Sequence, residues 1–139
     1  IIDGTDNSDY FLYKFNISNQ NKKRIKIIDN FFKNKLGSNT FSEKKMNKIF
    51  YYEGKQAVID ILNFKMIKSK KFDQNLFELL TLYRNKLKPK MPIGADILMT
   101  KFQIPEGKQL GLKLKMIEEE WVNNDFQISE QQVKNIINI

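Results

Sequence analysis

Apolar residues in this chain recur at three- and four-residue steps, and no stretch alternates with period two for long enough to form a strand. That pattern leaves an all-α fold as the expectation. Ile25, Ile28, Phe32 and Leu36 make one helical stripe, Met46, Ile49 and Phe50 a second, and Val58, Ile61 and Leu62 a third. Leu76, Leu79, Leu80, Tyr83 and Leu87 repeat the spacing, as do Leu110, Leu114, Ile117 and Trp121, and then Val133, Ile136 and Ile137. A short helix is expected over residues 95–99, and the apolar run over 10–15 reads as the end of a helix or a strand, with helix favoured. Residues 1–9 are acidic and rich in turn formers, and read as a loop.

The punctuation agrees with the stripes. Ser18, Ser42, Asp73 and Ser129 each precede one, and a side-chain oxygen there can accept from backbone N–H groups orphaned at a helix start. Gly37 is expected to end the first stripe, and Gly54 separates the second from the third. Pro89 and Pro92 cannot continue the Leu76 helix, which should stop near Lys88. Pro105 and Gly107 open a long helix that should pack on the helix over 95–99 and bury Trp121. The Lys-Pro-Lys-Met-Pro segment over 88–92 then divides a helical body, residues 1–88, from a smaller helical tail, residues 89–139.

Composition narrows the function. With 139 residues and 41% apolar content the chain can bury a core. It has no cysteine, which excludes disulfides, thiol nucleophiles and Cys-based metal sites and fits a reducing cytoplasm. It has no histidine, so His acid–base catalysis and His-ligated zinc are excluded as well. No apolar run approaches the roughly 20 residues of a membrane span. Beginning at Ile1 with no signal-peptide pattern, the sequence reads as a segment of a longer chain.

A net charge of +8 and a pI near 9.5 favour a polyanionic partner. An AT-rich genome, with its abundant Lys, Asn and Ile, would explain the number of lysines but not their placement. They cluster: Lys22, Lys23, Arg24 and Lys26; Lys65, Lys68, Lys70 and Lys71; Arg84, Lys86, Lys88 and Lys90; Lys101, Lys108, Lys113 and Lys115. Acids gather instead at 3–9 and 118–130. Segregation of this kind suits a phosphate backbone, with a merely solvated surface as the plain alternative.

Chemistry is harder to assemble. Nucleotidyl transfer needs carboxylates converging on two metal ions. The candidates are Asp96, Asp125 and the run Glu118, Glu119 and Glu120, but consecutive helical residues point roughly 100° apart. A solvated acidic face is the expectation there, with Asp125 turning the chain after Trp121. No phosphate-binding glycine loop of the GxxxxGK[ST] or GxGxxG type is present, and neither catalytic nor metal-ligating residues are expected. The segment Ile104-Pro-Glu-Gly-Lys-Gln-Leu-Gly111 is more specific. Gly107 and Gly111 permit close backbone approach, and the N–H groups at the helix start can hold a phosphate. Gly111 could instead serve only to let two helices pack closely.

Five segments, in order, resemble the C-terminal region of bacterial class II CCA-adding enzymes and the related poly(A) polymerases. Phe15-Asn-Ile-Ser-Asn-Gln-Asn-Lys is similar to the family's Leu-Ser-Asn-Ala-Glu-Lys segment. Ile49-Phe-Tyr-Tyr-Glu-Gly-Lys-Gln-Ala-Val-Ile-Asp60 is similar to its Tyr-Arg-x-Gly-x-x-x-Val-x-Asp segment. Met91-Pro-Ile-Gly-Ala-Asp-Ile-Leu-Met99 and the 104–111 segment resemble Pro-x-x-Gly-x-Asp-Leu and Pro-Gly-x-x-x-Gly, with Glu106 inserted between Pro105 and Gly107. Glu119-Glu-Trp-Val-Asn-Asn-Asp-Phe126 follows as the tryptophan and Asp-Phe element.

The resemblance implies a tRNA-binding body and tail whose parent enzyme, through an N-terminal head, adds CCA to tRNA 3′ ends with ATP, CTP and Mg²⁺. The head's glycine-rich motif and paired aspartates do not occur in this sequence, so no cofactor is expected in the segment itself. The tRNA would be gripped at its acceptor stem and elbow. The expected RNA contacts are Lys108 with the N–H groups after Gly107, Gly111, Lys101, Lys22, Lys23, Arg24, Arg84 and Lys86. The alternatives are a poly(A) polymerase C-terminal domain, or a basic helical module that meets an acidic protein.

Overall fold

The computed structural model describes residues 8–34 and 40–138. Among these residues there are eight helices and no strands, an all-α fold. In chain order they are α1 (Ser8–Lys14), α2 (Asn19–Lys33), α3 (Glu43–Glu53), α4 (Lys55–Lys68), α5 (Gln74–Asn85), α6 (Ala95–Thr100), α7 (Lys108–Asn123) and α8 (Glu130–Ile137).

The expected caps are made. The Ser18 hydroxyl accepts from Asn21 N at 3.3 Å, Ser42 from Lys45 N at 3.4 Å, and the Asp73 carboxylate from Leu76 N at 3.2 Å. Ser129 goes further and forms a reciprocal box with Gln132, whose side chain accepts from Ser129 N at 2.9 Å. Gly54 ends α3 and starts α4 with φ +94°, a left-handed corner that a side chain would strain.

Two compact units follow, Ile1–Lys86 and Leu87–Ile139, each with its own core. In the first, Met46 and Phe50 of α3, Val58 and Leu62 of α4, and Leu76, Leu80 and Tyr83 of α5 are buried together. The Tyr83 hydroxyl, sealed inside, donates to Asn47 Oδ1 at 2.8 Å. In the second, Leu98 of α6, Ile104, Leu110 and Ile117 of α7, and Val133 and Ile137 of α8 form the core, with α6 packed on α7 and α7 on α8. Trp121 is buried as the stripe predicts.

Three boundaries differ from the expectation. Helix α1 begins at Ser8, so Ser8 and Asp9 are helical, while the rest of the expected loop lies outside the described residues. Helix α2 ends at Lys33, before Leu36 and Gly37, which also lie outside them. Helix α5 stops at Asn85, where Lys86 turns extended (φ −68°, ψ 131°), and this leaves Leu87 85% exposed and off the stripe. The helical spacing runs to Leu87, two residues beyond the end of α5, because Lys86 leaves the helix and its ammonium reaches Asn47 of α3.

Candidate nucleic-acid interface

The basic residues separate into those committed to the fold and those left at the surface. Arg24 belongs to the first group. Its guanidinium donates from Nε to Asp60 Oδ2 at 2.7 Å and from Nη2 to Asp60 Oδ1 at 2.8 Å, tying α2 to α4. Gln56 donates to the same carboxylate at 2.9 Å. Burial alone would raise the Asp60 pKa, but the hydrogen bonds from Arg24 and Gln56 and the Arg24 charge together hold it below the ordinary value of 3.8. With one edge of its fork on a carboxylate, the partly solvated guanidinium offers a phosphate only its remaining N–H groups. The expectation of an Arg24 RNA contact therefore meets a competing internal ligand.

The ion pair makes an acid prediction. A folded-state pKa below the unfolded value contributes stability that is complete above the unfolded value and is lost as pH falls through the folded one. Stability measured by urea denaturation should be level down to about pH 4 and then decline. Asp60→Asn should remove part of that decline. Arg24→Ala at neutral pH should cost about 1–2 kcal/mol, since the guanidinium is partly solvated while Asp60 keeps only Gln56. An Asp60→Asn acid profile that overlays the parent's would refute this role.

Lys86 is likewise engaged. Its ammonium donates to Asn47 Oδ1 at 2.7 Å, stands 3.7 Å from Glu43 and lies over the Tyr83 ring at 5.0 Å from the centroid. It completes the polar plug over the first core. Arg84, two residues earlier, has an exposed side chain, while its carbonyl accepts from Lys55 Nζ at 3.0 Å. Lys22 and Lys23 have no carboxylate partner among the described residues, and Lys26 stands 3.8 Å from Asp9.

In the second unit Lys101 and Lys134 converge on Glu130, at 2.7 and 3.0 Å. Their hydrogen bonds and charge hold the Glu130 carboxyl at about 2, well below its usual range. Lys113 donates to Ile137 O at 2.9 Å and so caps the end of α8. Lys108 differs: it is exposed, begins α7, and has no partner among the described residues. Gly107 precedes it with φ +143°, which favours glycine. Gly111, one turn on, is exposed, and a Cβ built there would touch nothing within 4 Å. Helix packing therefore does not account for Gly111. Beside it on the same exposed face stand Leu112, Lys115 and Met116. The exposed carboxylate of Glu106 sits just before this turn.

The acidic run divides as helical geometry requires. Glu119 is exposed, whereas Glu118 and Glu120 are half-buried and Glu120 accepts from Gln132 at 3.2 Å. Asp125 takes φ +51° in the turn after α7. Among the described residues no helix is long and apolar enough to cross a membrane.

Two groups escaped the sequence reading. Lys44, Lys45 and Lys48 are exposed on α3, and their signal was present: three lysines flank the buried pair Met46 and Asn47. The second group is aromatic. Tyr10, Tyr13 and Phe15 lie exposed along and just after α1, within the apolar run over 10–15.

No family model matches this chain, and neither a curated protein nor a solved structure does.

Proposed function

We propose that this chain is the RNA-binding C-terminal part of a tRNA nucleotidyltransferase that adds CCA to tRNA 3′ ends. The observation that carries the binding half of this reading is the set of exposed cations without internal partners. Lys23, Lys44, Lys45, Lys48, Arg84, Lys108 and Lys115 are all exposed, and none has a carboxylate partner among the described residues. An A-form RNA meets exposed cations of this kind through its phosphates, with little base readout. The catalytic half rests on the five ordered segments that resemble the CCA-adding family. On this reading Mg²⁺, ATP and CTP belong to an N-terminal head of the parent enzyme, and the cytoplasm is the compartment, in keeping with a chain that has no cysteine. A poly(A) polymerase parent is supported by the same segments.

One observation favours the other class, a module for an acidic protein partner. Leu112 and Met116 expose apolar surface beside Lys108 and Lys115, a mixture that protein interfaces use. Competition separates the two. With labelled tRNA bound, unlabelled tRNA and double-stranded RNA should displace the label at similar concentrations, and polyglutamate should displace it only at much higher ones. Displacement by polyglutamate as readily as by RNA would make the partner any polyanion and sink the RNA reading. Supplied with tRNA, ATP, CTP and Mg²⁺, the chain alone should incorporate no nucleotide.

A further inference from the structure

The first unit carries an aromatic surface that neither its core nor the proposed duplex contacts use. Tyr13 is 86% exposed, Tyr10 66% and Phe15 59%. Single exposed aromatics are ordinary, but three within six residues are a patch. Tyr10, Tyr13 and Lys14 share one arc of α1, opposite Leu12, which is buried against the body. The Lys14 ammonium stands over the Tyr10 ring, 5.7 Å from its centroid. At the foot of α1 the chain turns back through Asn16, with φ +44°, and brings α2 alongside.

Between these two helices lie two adjoining depressions of about 520 and 540 Å³, and Leu12, Tyr13 and Lys22 line both. Tyr13 is thus the partition and Leu12 the apolar floor. Lys23 and Lys26 extend the wall of one depression, and Tyr10 and Lys14 that of the other. Asp9 is the one carboxylate among the lining residues, and Lys26 stands 3.8 Å from it. Lys14, Lys22 and Lys23 have no carboxylate partner among the described residues.

We propose that this α1–α2 face holds unpaired nucleotides of an RNA strand, with bases stacked on Tyr13 and Tyr10 and phosphates on Lys14, Lys22 and Lys23. It rests on the RNA-binding reading above and adds the single-stranded class of ligand. A duplex keeps its bases stacked inside and gives exposed phenol rings nothing to do. An unpaired base has two open faces, and its phosphate lies within reach of lysines set around the ring. Aromatic rings interleaved with lysines in a groove are what sequence-tolerant single-strand binding requires.

The test uses the whole chain and a short oligouridylate carrying one 2-aminopurine, with an abasic strand of equal length as the control for charge. The base fluorescence should be quenched on binding, and the abasic strand should bind markedly more weakly. Tyr10→Ala with Tyr13→Ala should abolish the quench and weaken the strand by roughly fivefold or more for each stack lost. Tyr13→Phe should keep the quench. Because these rings are exposed, the variants should melt with the parent, and their affinity for double-stranded RNA should be unchanged. Equal binding of the abasic strand, or an unaltered quench in the double variant, overturns the proposal, and retained duplex binding would then leave the RNA reading standing. Failure of the parent chain to bind any RNA overturns both.

Discussion

Replacing Trp121 with alanine should destabilise the chain by about 3–5 kcal/mol. The indole is 2% exposed, near the end of α7, with its ring centroid 5.1 Å from that of Phe126. The backbone there is held in turn. Phe126 N donates to Trp121 O at 2.8 Å while Asp125 and Phe126 both take positive φ. Phe126 cannot slide into the space left by the indole without breaking that turn, so a cavity remains and its lining loses dispersion contacts. Val122, equally sealed, fixes the adjacent face of the helix. Urea denaturation followed by far-ultraviolet circular dichroism is the suitable measurement, because Trp121 is the sole tryptophan and its fluorescence goes with it. A midpoint close to the parent's would show that the apolar spacing through Leu110, Leu114, Ile117 and Trp121 had been given the wrong weight.

That spacing illustrates what the sequence makes legible. Helix starts at Ser18, Ser42, Asp73 and Ser129 are local events, set by one side chain and the N–H groups two or three residues on, and all four occur where the residues suggest. Core positions follow from period, since Met46, Phe50, Leu76, Leu80, Ile117 and Val133 recur on single faces. The surface is less legible because charge clusters in sequence disperse on a helix. Lys22, Lys23 and Arg24 point roughly 100° apart. One of the three turns inward to a carboxylate 36 residues away. Lys86 and Lys101 find partners 39 and 29 residues away, and no local pattern announces such contacts. Gly111 was ambiguous between packing and approach, and empty space beside it decides against packing. The exposed rings of α1 were hidden for another reason: an apolar run says that a segment can be buried, but only the neighbouring elements determine which of its faces is covered.

The second large effect is on RNA. On the proposed reading, cations without internal partners, and not positive charge at large, hold the nucleic acid. Each phosphate neutralised releases condensed counterions, so the affinity for tRNA should fall by on the order of a hundredfold between roughly 50 and 200 mM salt if about four phosphates are engaged. The direct measurement is the slope of log affinity against log salt for the parent chain, Lys108→Ala and Lys134→Ala. Lys108 starts α7 with no partner among the described residues, whereas Lys134 is paired with Glu130 at 3.0 Å. Lys108→Ala should reduce the slope by about one and weaken unrelated tRNAs equally, while Lys134→Ala should leave the slope unchanged. Affinity that is flat across this salt range, or equal losses for the two variants, would contradict the claim.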